Sequence, residues 1–125
     1  MTYEELWQTA LTIGKAAGDQ AKPIPMTVQQ HENVLVDNSP VVKSWNVPDG
    51  VCGFAGIVFR PATQPFVRWL VKQYPEATHK HYQGGREFFV RDFGQSMQRK
   101  EACAGAMCRF FESHGIKCDT WSRMD

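Results

Sequence analysis

No apolar run in this chain approaches the roughly 20 residues needed to span a membrane. The start, Met1-Thr2-Tyr3-Glu4-Glu5, is acidic and lacks the basic-then-apolar order of a signal peptide. A cytoplasmic protein is the expectation. The four cysteines, Cys52, Cys103, Cys108 and Cys118, include no CxxC pair, so the zinc-ribbon and thioredoxin patterns have no motif behind them. There is no GxGxxG and no Walker loop, and no nucleophile elbow or triad motif occurs. A large excess of one charge is missing too. The net charge of +1 is not the balance of a dedicated nucleic-acid binder.

The content that is present suits one domain. A chain of 125 residues with 42% hydrophobic and 22% charged content can build a core without staples. Charge is unevenly spread. Residues 1–50 carry three basic and six acidic groups, and residues 51–125 carry eleven and seven. Free cysteines in such a chain are expected to act as small buried hydrophobes. Cys103 and Cys108, five apart, would lie about 140° apart on a helix. Disulfides or a metal are the alternatives for these thiols.

The chain divides near residue 50. Thr2 followed by Glu5 is a capping-box pattern, and Leu6, Ala10, Ile13 and Ala17 continue it at helical spacing, with Gly18 as the stop. Lys22 to Gly50 holds four of the seven prolines, with short β-like pieces at Met26–Gln30, Asn33–Val36 and Val41–Trp45 and a turn at Asp37-Asn38-Ser39-Pro40. Its apolar content argues for an arm packed on the domain, with Trp45 the expected anchor. Residues 1–50 thus read as a helix and arm packed on the core, and residues 51–125 as the main domain.

From Val51 the order is strand, helix, strand, glycine turn, strand, helix, strand. The run Cys52–Phe59 is nearly all apolar, which predicts a strand buried on both faces. Gly53 and Gly56 inside it suggest a close backbone neighbour or a bulge. Pro65 opens a helix that Pro75 stops. Thr78–Tyr82 alternates, Gly84-Gly85 is a hairpin signal, and Arg86–Phe93 is the returning strand. Ser96 caps a second helix that ends at His114-Gly115, and Ile116–Trp121 is the last strand. This βαββαβ order is that of an α+β ferredoxin-like sandwich, with two helices on one sheet face. The apolar first strand implies that the arm or a second subunit covers the other face, and a homodimer is the reasonable assembly.

The fold alone assigns no chemistry. An RRM uses this topology and stacks bases on its third strand. Here that strand would put Phe89 and Phe93 on one face with Arg91 and Glu87. Arg60, Lys80 and Arg86 would supply further cations. The RNP pattern fails at Glu87 and Asp92, so covering by the arm or a partner competes with base stacking. His79 and His81, two apart on a strand, point the same way; Glu76 is the one carboxylate nearby in the chain, and His31 and His114 are the histidines that could join them. Ser96 with Arg99 and Lys100 sets amides and two cations at a helix start, a candidate anion site. No residue pattern demands a cofactor, a metal or a catalytic role.

At Phe93-Gly94-Gln95-Ser96-Met97-Gln98-Arg99-Lys100-Glu101-Ala102 and at Ser122-Arg123-Met124-Asp125 the chain resembles small uncharacterised proteins of tailed phages and prophages. The resemblance covers about residues 51–125. It implies a phage or mobile-element accessory protein and carries over no site residues. Three readings follow: a non-enzymatic binding or regulatory module acting through protein partners; a nucleic-acid-binding accessory protein using the sheet face; and a small ligand-binding domain or enzyme.

Overall fold

The computed structural model describes residues 1–31, 41–47 and 50–125. In chain order its elements are α1 (Tyr3–Gln20), β1 (Met26–His31), β2 (Val41–Val47), β3 (Gly53–Phe59), α2 (Pro65–Gln73), β4 (His79–Lys80), β5 (Arg86–Phe89), α3 (Met97–Ser113) and β6 (Cys118–Met124). The protein is α+β. A four-stranded antiparallel sheet runs in the order β4-β5-β3-β6, and β1 and β2 pair as a separate antiparallel ribbon. The β-like piece at residues 33–36, the turn at 37–40 and the side chain of Trp45 lie outside what is described. No helix among the described residues is long and apolar enough to cross a membrane.

The helix starts follow local chemistry. Thr2 accepts from the Glu5 amide while the Glu5 carboxylate takes the Thr2 amide, so the capping box is formed. Pro65 sits in the first turn of α2. Ser96 caps α3 through the Arg99 amide. Gly18 does not stop α1, which continues to Gln20. The ring of Phe93 fills the space where a Gly18 side chain would stand, so this glycine serves packing. Likewise Gly14 lies against Met107 and Cys103 of α3. These small residues let α1 and α3 approach closely.

One face of the sheet carries the core. Ala55, Ile57 and Phe59 of β3 point into it, and alternation sends Phe54, Gly56 and Val58 the other way. Three helices meet that first face. Leu6, Trp7 and Ala10 of α1 join Phe66, Val67 and Leu70 of α2 and Ala104, Met107 and Phe111 of α3 in one cluster. Its aromatic centre is Phe111, 5.3 Å from both Phe59 and Phe66 and stacked with Trp7 at 6.3 Å. Gln64 ties α2 to the start of β6, donating to the Lys117 carbonyl and accepting from the Lys117 amide.

Three strand boundaries differ from expectation. β4 is only His79–Lys80, because Thr78 is buried and occupied by Arg86. β5 ends at Phe89, with the Val90 amide still on the Ala55 carbonyl, and Phe93 (φ 72°) and Gly94 (φ 56°) then turn the chain into α3. β6 begins later and runs further, pairing Ser122, Arg123 and Met124 with Ala55, Phe54 and Gly53. The closing residues are therefore strand, not tail.

Candidate functional site

The sheet face turned away from the helices is built by register. Gly56 lies opposite Phe89 on one side and opposite Trp121 on the other. Val58 is likewise flanked by Glu87 and Asp119, Phe54 by Arg123, and Glu87 by His79. Directly paired residues share a face. The result is an aromatic strip crossing three strands, with charged residues around it.

Gly56 makes the strip possible. A side chain there would meet the Phe88 carbonyl and two atoms of the Trp121 ring, so the indole packs directly on the backbone. Phe89 meets Trp121 edge-on at 4.8 Å, and His79 meets Phe89 edge-on at 6.0 Å. Trp121 Nε1 is buried with no acceptor among the described residues. An unmet buried donor costs about 1–3 kcal/mol and calls for an explanation, a binding role being one. The strip borders a cleft of about 270 Å³ lined by His81, Tyr82, Glu87, Phe89, Trp121, Ser122 and Arg123. At its far end the guanidinium of Arg123 lies 5.2 Å from the Phe54 ring centre, and the ammonium of Lys100 lies 5.3 Å from it.

The hairpin end is held by a polar relay. Arg60 donates to the Gly84 carbonyl at 3.0 Å and to His81 Nδ1 at 3.2 Å. The Gln83 amide also donates to Nδ1, at 3.1 Å. With two N–H donors on Nδ1, that nitrogen accepts, and Nε2–H faces the Glu87 carboxylate 3.7 Å away. His81 is thereby a brace for the turn. It is not gathered with His79 into any candidate metal cluster among the described residues.

Of the residues singled out for nucleic acid, Phe89 alone lies in the strip, and Arg60 reaches its hairpin end. Phe93 does not share the face of Phe89. Its left-handed backbone carries the ring to α1, against Gly18 and 6.0 Å from the Lys15 ammonium. Arg86 pairs in register with Phe59, so it turns to the helix side, where its guanidinium donates to both oxygens of Thr78. Lys80 pairs with Arg86 and shares that side. Arg91 is exposed beyond the end of β5.

At the start of α3, the two cations of the expected anion site reach backbone carbonyls. Arg99 donates to the carbonyls of Gly18 and Asp19, supplying the cation that the last turn of α1 lacks. Lys100 is buried and donates to the Gly53 carbonyl. Both cations serve backbone carbonyls of other elements. Trp121, Arg123 and Phe54 are the residues that sequence reasoning missed. The available signal was the alternation Asp119, Trp121, Arg123, had β6 been extended to the end of the chain.

Comparison with protein-family models, with curated proteins and with solved structures finds no match for this chain.

Proposed function

We propose that residues 51–125 form a ferredoxin-like sandwich that acts as a non-enzymatic binding module, presenting its sheet face to a protein partner. The topology reading is supported by two interleaved split units. β5 lies between β3 and β4, the strands joined through α2, and β3 lies between β5 and β6, the strands joined through α3.

The binding reading rests on one observation, the Phe54–Phe89–Trp121 strip with rim charges of both signs. An apolar, aromatic centre with a mixed polar rim is the composition of a protein interface. A nucleic-acid face would need cations of one sign along it. Here Glu87 lines one cleft with Arg123 and Asp119 lines another with Arg60, while Arg86 and Lys80 point to the other side. The resemblance of residues 93–102 and 122–125 to small phage proteins favours an accessory role for such a module.

A photo-crosslinking residue placed at Tyr82, exposed on the cleft, should trap a discrete protein in cells. The same residue at Lys72, on the helix layer, should not. Phe89→Ala or Trp121→Ala should weaken the captured interaction by about 2 kcal/mol or more, as an interface anchor does. Trapping of a second copy would make the partner the chain itself. Binding of single-stranded oligonucleotide that weakens steeply with salt and needs Phe89 would overturn the protein reading.

A further inference from the structure

We propose that Cys108, Glu112 and Cys118 form a binding site for a thiophilic divalent cation of the zinc class, with two sulfurs and one carboxylate as ligands and solvent in the fourth position. The site lies apart from the sheet face, where the end of α3 meets the start of β6. Cys108 and Glu112 are one turn apart on α3 and so share a helix face. Gly115 (φ 76°) reverses the chain, and the Ile116 amide closes onto the Phe111 carbonyl. That reversal brings Cys118 back over Cys108.

The donor atoms of all three residues lie within 4.8 Å of one another. Cys108 Sγ is 3.1 Å from Cys118 Sγ and 3.1 Å from Glu112 Oε1. A tetrahedral zinc ion with bonds of about 2.3 Å to sulfur holds two such atoms about 3.8 Å apart, so the pair would open by less than about 1 Å.

Electrostatics favour a cation here. The last turn of α3 carries no basic residue and instead adds Glu112 to the negative end of the helix. A cleft of about 560 Å³ reaches Cys118 and Glu112 and gives solvent access, its lining including Arg60, Lys117 and Asp119.

The test uses the full chain, reduced and stripped of metal, carrying Cys52→Ser to remove the exposed thiol. Adding Co²⁺ or Cd²⁺ should produce saturable thiolate-to-metal charge-transfer absorption, displaced by Zn²⁺. Cys108→Ser and Cys118→Ser should abolish it, Cys103→Ser should retain it, and Glu112→Gln should weaken binding at least roughly tenfold. Zn²⁺ should also raise the melting midpoint of the Cys52→Ser chain, a readout that needs no buried-thiol variant. Three outcomes would overturn the site: no charge-transfer band, a band that survives Cys118→Ser, or a Cys108–Cys118 disulfide that, once reduced, yields a chain binding no metal.

Discussion

At the scale of single residues, Gly56 decides whether the sheet face can carry its aromatic strip. Its missing side chain admits both the Phe88 carbonyl of the neighbouring strand and the Trp121 ring. Backbone cannot give way as a flexible side chain can. Gly56→Ala should therefore destabilise the fold by about 1–3 kcal/mol through overpacking. Urea unfolding would show a lower midpoint at unchanged slope. A midpoint equal to that of the parent would remove the close-approach argument. Gly18 differs in kind, because its neighbour is the Phe93 side chain rather than backbone.

Among elements, α1 is the one whose contribution depends on acidity. The Glu5 carboxyl is held below its ordinary value of 4.5 by the Thr2 amide and then the Thr2 hydroxyl. A depressed carboxyl contributes stability that is complete above its unfolded value and is lost as pH falls through its folded value. Helix α1 should thus loosen below about pH 4.5. Thr2→Ala should cost about 1 kcal/mol near neutral pH, and that difference should shrink on acidification because protonated Glu5 no longer takes the Thr2 hydroxyl as an anion. Amide hydrogen exchange across residues 3–20 at two pH values reads both effects. A Thr2→Ala penalty equally large in acid would refute the coupling.

For the whole molecule, the helix layer is a joint product of the two parts of the chain. Leu6, Trp7 and Ala10 are buried among residues of α2, α3 and the sheet, and Trp7 packs edge-on against Phe88 at 5.4 Å. Arg99 in turn closes the end of α1. A fragment spanning residues 51–125 would expose the Trp7 side of Phe111 and Phe88 to water. Burial of one such aromatic is worth roughly 1.5–3 kcal/mol, against the 5–15 kcal/mol that hold a typical domain. The fragment should accordingly show poor amide dispersion by NMR and a broad thermal transition. Recovery of both on adding a peptide of residues 1–21 would show that α1 completes the core. A fragment that folds as sharply as the full chain would show that it does not.

Much of the architecture was legible along the chain because it is written in local chemistry. Thr2 with Glu5, Pro65, Ser96, Gly84-Gly85 and Gly115 each act within a few residues, and each does what its type dictates. The apolar run ending at Phe59 likewise reads as a central strand whatever surrounds it. What the chain could not declare is which way an element is carried after a turn. A positive φ at Phe93 moved its ring from the sheet to α1, and the longer β6 brought Trp121 and Arg123 onto the face. Cys108 and Cys118 show the same limit, being ten residues apart with no motif between them, yet adjacent once Gly115 reverses the chain. Caps, periods and turns are local and so belong to the sequence. The aromatic strip and the thiol pair depend on cross-strand register and helix-to-strand packing, which only tertiary contact sets.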